Sequence, residues 1–458
     1  MNAKKVGWVK DEFKEISLGD QRLNERLIKT AELLAIRPSE SINRAIEDAA
    51  DKKAAYRLFD NDKCTSEKIF SVHQKRTMER MNGHRIVLSI HDTTFLNYNG
   101  HKATEGLGSI GGPSEENPAQ GLIFHAGLAA TASGLVLGLQ NLKIWSRPKN
   151  GIGERSADCK AEEKESYRWI TGMREAKKLY SPETQMIFIA DREGDMFELF
   201  LEAQQTGCDV VIRNKHDRMI IGTDYYLSWH LDRLSDGGTL EVDDTKNNRK
   251  AIVKVTYSKI AFNNPKEARA KHLARKDIDR VEMYIVEAKE IDPPEGIEDL
   301  HWKLLTTLPV ESKEMAEEVI GYYRKRWHIE SFYKVFKKGC CDVESCCLQD
   351  SDNLEKYLTL FAVIAWRIYW MVHINRISPT APCTDVLTDL EYKTLHCRSN
   401  KTKELPNGPP PSVREVIRLI AKMGGFNGRK GDKEPGMITL WRGWIRLQDM
   451  VEMYEIMS

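Results

Sequence analysis

Between residues 85 and 190 four short apolar runs stand apart from their surroundings: Arg85 to Ile90, Leu122 to Ala130, Gly134 to Leu139 and Met186 to Ala190. A segment of helical character, roughly Ala161 to Lys178, separates the third from the fourth. Strand runs joined through a helix to a further strand indicate an α/β layer, with a sheet covered by helices. This is the strongest constraint the chain carries, and everything else is arranged around it.

The flanks differ in kind. Residues 1 to about 75 read as helical and polar, and Ser41 to Phe59, without Pro or Gly, places Ile42, Ile46, Ala49 and Ala50 at helical spacing. From about 217 to 300 the chain is strand-rich and basic, with strand candidates at Ala251 to Tyr257 and Val281 to Val286 before a Pro293-Pro294 turn. A long helical segment, Ser312 to Lys338, follows. Tyr357 to Ile374 is the longest apolar stretch, but Arg367 sits at its middle, so it predicts a buried core helix and not a membrane span. Beyond Pro409-Pro410-Pro411, Ser412-Val413-Arg414-Glu415 has the form of a capping box opening a helix. Ile438 to Met457 is amphipathic and carries Trp441 and Trp444.

At 458 residues the chain has room for about three domains. Lys plus Arg number 69 against 68 Asp plus Glu, a net +1, so any surface for a polyanion has to come from local segregation of charge. Nine cysteines spread over this length, after a start with no apolar leader, fit reduced thiols in a cytoplasm better than a secreted disulfide framework.

Three acids stand out by context. Asp92 lies just past the run ending at Ile90, Asp191 directly follows Met186 to Ala190, and Glu330 lies within the helical segment 312–338. Carboxylates at strand ends are held rigidly, and a hard divalent cation such as Mg²⁺ takes a few of them. Strand-end aspartates also cap turns, and helical glutamates also face water. The surroundings of Glu330 tell more. On a continuous helix Arg326, Glu330 and Lys337 fall at ~300°, ~340° and ~320° from Tyr323, so all four share one stripe. Tyr322 to Lys338 holds six Lys/Arg and one acid, a local charge of +5. Two cations, a phenol and a carboxylate on one stripe suit a phosphate-bearing ligand beside a metal.

Tyr323-Arg324-Lys325-Arg326-Trp327-His328-Ile329-Glu330, running on to Lys337, matches the Tyr-x2-Arg-x3-Glu-x6-Lys signature, and here the chain resembles the DDE transposases of bacterial insertion sequences, IS-four group, including the transposon Tn-five type. Asp92-Thr93-Thr94 and Asp191-Arg192-Glu193-Gly194-Asp195 are similar to that family's first and second aspartate motifs. Leu18-Gly19-Asp20-Gln21-Arg22 with Ala55-Tyr56-Arg57, Glu163 to Ser166, Val211 to His216, and Met423 to Phe426 extend the resemblance over nearly the whole chain. It implies an α/β, RNase H-like catalytic core at 76–370 with a β-rich insertion at about 217–300. An N-terminal helical DNA-binding domain (1–75) and a C-terminal helical dimerisation domain (371–458) would flank it. It implies Asp92, Asp191 and Glu330 as the triad for two Mg²⁺ ions, with Mn²⁺ able to substitute. Arg326 and Lys337 would hold end phosphates, Tyr323 a backbone phosphate beside a flipped base, and Trp302 that base. The implied activity is cut-and-paste transposition on double-stranded DNA, acting on terminal inverted repeats and target as a homodimer, in a bacterial cytoplasm at the nucleoid. A non-catalytic DNA-binding regulator and a nuclease without strand transfer are the rival readings.

Other signals have two readings each. Arg213, Lys215, His216 and Arg218 are DNA-backbone contacts or a solvated loop, and the family match favours contact. Arg22, Arg26 and Arg57 read DNA ends or pair on the surface. Lys246, Arg249, Lys250 and Lys254 read as a solvated face. Glu193 and Asp195 compete with Asp191 for the second acid. Cys340-Cys341 and Cys346-Cys347 are vicinal pairs that fit zinc spacing poorly. Gly106 to Gly112 lacks the Lys-Ser/Thr of a P-loop and reads as a loop.

Overall fold

A computed structural model describes residues 7–111, 119–147, 164–234, 237–244, 247, 249–263, 280–429 and 431–457. Gly112, residues 161–163 and Lys246 lie outside the described residues.

The N-terminal region is helical: α1 (Gly7–Phe13), α2 (Gln21–Ile36), α3 (Ile42–Ala45), α4 (Ala49–Phe59) and α5 (Ser66–Met81). Each longer helix starts at a side-chain cap. Asp20, Asp48 and Thr65 accept the backbone N–H of Arg22, Asp51 and Lys68. The single helix expected over Ser41 to Phe59 is two. The chain leaves helical conformation at Ile46 (φ −106°, ψ 106°), and Asp48 caps a new start, so local capping outweighs periodicity here.

The centre is one mixed sheet. Its strands are β1 (Ile86–Asn97), β2 (Gly108–Ser109), β3 (Gln120–Thr131), β4 (Val136–Trp145), β5 (Gln185–Ala190), β6 (Asp209–Arg213), β7 (Thr239–Asp244), β8 (Arg249–Asn263), β9 (Arg280–Glu290) and β10 (His301–Thr306). They run in the order β2-β3-β1-β5-β6-β10-β9-β8-β7, with β4 on β3. Strands β1, β5 and β6 are parallel. The β-rich insertion is therefore continuous with the core sheet, joined where β10 pairs antiparallel with β6. Its basic face is partly an illusion of sequence. Arg249 is committed to Asp244 (2.9 Å) and Glu290, and Lys250 to Glu241.

Alternation along the strands sorts the core into two layers. Ile187 and Ile189 of β5 and Leu88 and Ile90 of β1 face one side. They pack with Phe332 and Phe336 and with α11 (Ser351–Ile377). Met186, Phe188 and Ala190 face the other, against α6 (Arg168–Lys177) and α7 (Phe197–Thr206). After β6 comes the short α8 (Leu227–Leu231), on the insertion side. The stretch Ser312 to Lys338 is not one helix. It is α9 (Lys313–Arg324), a tightened turn, α10 (Trp327–Lys334), and a π-turn at Val335–Gly339. Lys325, Arg326, His328 and Ile329 donate to carbonyls three residues back, a 3-10 pattern that interrupts the α-helix without Pro or Gly.

Helix α11 is long and apolar enough to cross a membrane, yet 89% of its most apolar window is buried inside the protein. Arg367 lies 4.3 Å over the Trp370 ring and donates to the Val386 carbonyl, which is how a core helix accommodates it. The C-terminal helices α12 (Asp389–Asn400), α13 (Val413–Met423) and α14 (Met437–Met457) close the chain. The Ser412–Glu415 capping box is formed, and Trp441 and Trp444 are buried in packing.

Candidate active site

Sheet register brings the first two acids together. In the parallel pair β1–β5, Ile90 stands opposite Ile189, so Asp92 and Asp191 are each two residues beyond the last paired position. Each continues the alternation of Leu88–Ile90 and Ile187–Ile189, which directs both carboxylates to the α10–α11 side. Contrary to the expected strand end at Ile90, β1 runs on to Asn97 because β3 still pairs with it there. Asp92 is thus a mid-strand residue at the point where its second neighbour stops.

Burial raises the Asp92 carboxyl to about 7, and the Asp191 charge beside it pushes the same way. Asp92 Oδ1 accepts the Thr93 N–H (2.7 Å), and Asp191 Oδ1 accepts the Glu193 N–H (2.9 Å) at the start of a 3-10 turn. The competing acids are otherwise engaged. Asp195 is 1% exposed, pairs with Arg218 at 2.6 Å, and accepts the N–H groups of Lys215 and His216. Glu193 is bound to Arg168.

Helix α10 lies over β1, where the Tyr333 hydroxyl donates to the Asp92 carbonyl (2.5 Å). This docking brings up Glu330, one turn before Tyr333. Arg326 joins the acids: its guanidinium is 3.6 Å from Asp92 Oδ2 and hydrogen-bonds Glu330. Tyr323 is buried, 5.9 Å below that guanidinium and 6.1 Å edge-on to Trp302 of β10. The stripe thus survives the break for Tyr323, Arg326 and Glu330. Lys337, in the π-turn, departs from it, donating to the Phe95 carbonyl (2.6 Å) and pairing with Glu344.

A cleft of about 750 Å³ opens beside these groups, lined by Arg213, Trp302, Tyr323, Arg326, His328 and His373 among others. Arg213 is fixed by its bond to the His301 carbonyl (3.0 Å), and the Lys215 and His216 side chains are exposed beyond it. Arg22, Arg26 and Arg57 are remote from this cleft in sequence, on α2 and α4. Arg22 and Arg57 are exposed, and Arg26 is half-buried; the two helices are tied by Lys29 and Asp51 at 2.6 Å.

The donor set is all oxygen, and the mutual repulsion of Asp92 and Asp191 is what a hard divalent cation relieves, so the chemistry fits Mg²⁺. Among the described residues no three such side chains are close enough to hold an ion together; Glu330 is drawn to Arg326. The vicinal cysteines form no such cluster either. Cys340, Cys341 and Cys346 are buried, and burial pushes the Cys340 and Cys346 thiols up to about 12, so they act as small apolar fillers.

Sequence analysis gives no role to Arg168, His91 or His125, which are buried and with half-buried Thr93 make a polar row beneath the acids. The adjoining Glu165-Ser166 motif was the nearest signal. Gly127 and Gly172 make the room for it. A Cβ on Gly127 would stand 2.4 Å from the His91 ring, and one on Gly172 3.0 Å.

Comparison with known families assigns each region independently. Residues 5–64 match Transposase DNA-binding, residues 178–366 match Transposase DDE domain, and residues 363–456 match Transposase Tn5 dimerisation domain. The DDE match takes in Asp191 and Glu330 and begins after β1, so Asp92 joins them through sheet register. With a DNA-binding region, a DDE domain and a dimerisation domain in that order on one chain, the protein belongs to the Tn5-like DDE transposases.

Proposed function

We propose that this transposase binds the terminal inverted repeats of its own element, nicks each end, closes a hairpin and transfers the freed strand to target DNA. The observation that carries the reading is the convergence of Asp92 and Asp191 on one sheet face under the helix bearing Glu330. When bound, two divalent ions would activate the attacking oxygen and stabilise the leaving one. Asp92, Asp191 and Glu330 would hold them, with Mg²⁺ the expected metal and Mn²⁺ a substitute. Arg326, buried enough to be a strong hydrogen-bond donor, is placed between the acids and the cleft to hold the end phosphate. Lys337 shares the end phosphate with Arg326; Arg213, Lys215 and His216 extend the basic track for the DNA backbone, and Arg22, Arg26 and Arg57 engage the end from the N-terminal helices. The presence of all three acids argues against a non-cutting regulator, and a nuclease without strand transfer leaves unexplained why Trp302 and Tyr323 sit as an aromatic pair beside Arg326.

The test is a labelled duplex spanning an inverted repeat that flanks the reading frame. Wild-type protein in Mg²⁺ cuts at the repeat boundary, and EDTA abolishes cutting while binding persists. Binding without cutting in both Mg²⁺ and Mn²⁺ would mark a regulator.

Trp302→Ala separates the steps. A base stacked on an aromatic ring gains about 1–3 kcal/mol, so hairpin closure slows roughly 5- to 150-fold while the first nick changes by less than about twofold. Rates of the two steps on denaturing gels decide it; equal slowing of both removes the stacking role.

A further inference from the structure

Beneath the two aspartates, on the face of the sheet away from Glu330, Arg168 of α6 is 8% exposed and reaches both β1 and the turn that follows β5. Its Nε donates to Thr93 Oγ1 (2.8 Å), and its Nη2 pairs with the Glu193 carboxylate. Thr93 follows Asp92 in the chain and gives it a backbone N–H. Glu193 gives its backbone N–H to Asp191. One rigid guanidinium thus spans the two residues whose N–H groups orient the two carboxylates. Its Nη1 is fixed in turn by the Glu165 carbonyl (2.9 Å).

The far side of Thr93 is fixed too. Thr93 Oγ1 lies 3.0 Å from His125 Nδ1, His125 Nε2 lies 3.3 Å from His91 Nδ1, and His91 Nε2 lies 3.0 Å from Ser89 Oγ. Ser89 donates to Gln140 Oε1 (2.7 Å), and Gln140 Nε2 donates to the Tyr180 hydroxyl (2.7 Å). Burial keeps both histidines neutral, so each has one donor and one acceptor nitrogen. Because the Ser89 proton goes to Gln140, His91 must donate from Nε2 and His125 must donate to it. Thr93 then gives its proton to His125 and offers its lone pair outward. Only a donor satisfies that position, and Arg168 is the donor. The row has a single consistent direction from the guanidinium to Tyr180.

We infer that Arg168 is a positioning residue that sets the separation of Asp92 and Asp191 by bridging Thr93 to Glu193. This rests on the reading of those aspartates as metal ligands. Arg168 touches neither DNA nor metal in this role; it fixes where the ligands stand. Lysine has one ammonium in place of a planar fork and cannot make both bonds in this geometry.

The experiment titrates Mn²⁺ alone into DNA-free wild type, Arg168→Lys and Glu193→Gln, followed by electron paramagnetic resonance, with thermal melts alongside. Nicking of the end duplex is then measured against Mg²⁺ concentration. Supporting-ligand substitutions weaken metal binding about 10- to 100-fold, and that is the loss expected for both variants. The Mg²⁺ midpoint for nicking shifts upward by the same factor, saturating Mg²⁺ restores most of the rate, and end binding is unchanged. Wild-type Mn²⁺ affinity in both variants overturns the proposal. So does a nicking defect that saturating metal fails to relieve. If Arg168→Lys does not fold, Glu193→Gln, altered at a side chain 56% exposed, decides alone. A wild-type protein that never cuts condemns the functional reading instead, which the Mn²⁺ titration distinguishes.

Discussion

Asp92→Asn, Asp191→Asn and Glu330→Gln each lower end nicking by on the order of a thousandfold or more, while end binding stays within about twofold. Metal-assisted charge stabilisation in phosphoryl displacement is worth several kcal/mol, and about 4 kcal/mol is a factor of a thousand. Binding survives because the Transposase DNA-binding match, residues 5–64, contains none of the three. Asp92→Asn carries a second signature. Its carboxyl is raised to about 7 by burial and by Asp191, so at neutral pH and above the metal-free protein is strained by keeping it ionised. A folded-state pKa above the unfolded value means stability lost as pH rises from about 4 to 7, with an upper bound of roughly 4 kcal/mol. Asp92→Asn removes that loss, so the inactive variant melts higher than wild type in EDTA at pH 8. Denaturant titration reads the stability and gel assays read the activity. Wild-type nicking by any one variant removes that residue from the triad.

Glu12→Gln destabilises the protein by about 3 kcal/mol at pH 7, far from the acids. Glu12 of α1 is 5% exposed and accepts from both Nη atoms of Arg80 (2.9 and 3.0 Å) and from His73 Nδ1 (2.6 Å). His73 is kept neutral by burial, and its Nε2 accepts the Leu139 N–H of β4 (2.9 Å), which fixes the tautomer that donates to Glu12. Arg80 stacks 4.3 Å over Trp366 of α11 and donates to the Leu137 carbonyl. Burial alone would raise the Glu12 carboxyl, but these donors outweigh it and hold it at about 2, against an ordinary value of 4.5. The contribution is complete above pH 4.5 and is lost as pH falls toward 2, on the order of 3 kcal/mol. Glu12→Gln therefore flattens the acid limb of stability against pH. An unchanged acid limb in urea titrations between pH 5 and 2.5 would show that the cluster is not coupled to folding.

Much of this was legible before the structure. Buried strands must be apolar runs, so the ends of Arg85–Ile90 and Met186–Ala190 located two acids, and the sheet, helical flanks and capping box at Ser412 followed from local rules. What failed was non-local. The polar Asp92-Thr93-Thr94 looked like the end of a strand because the pairing that continues it comes from β3, thirty residues on. Nothing in Lys325-Arg326 announces a broken helix, since both residues favour α-helix; tertiary packing makes the turn. Arg168 was invisible because its meaning depends on Thr93 and Glu193, each brought to it from another segment. A lone arginine after Glu165-Ser166-Tyr167 carries no periodicity to betray it.

Helix α11 spans 27 residues, about 40 Å, without interruption. The DDE match ends and the dimerisation match begins within it, overlapping at residues 363–366. It touches the catalytic layer through Tyr369, whose hydroxyl meets His328 Nδ1 at 2.9 Å, two residues before Glu330. The same rod packs against α13 and α14 at its other side. Chemistry and assembly therefore share one girder in place of a linker. A chain shortened from its C-terminus into this helix would strip cover from the acids' own layer, and one shortened from the N-terminus ahead of α5 would bare Tyr357 and Arg367 of the same helix, which pack on Phe59 and Trp8.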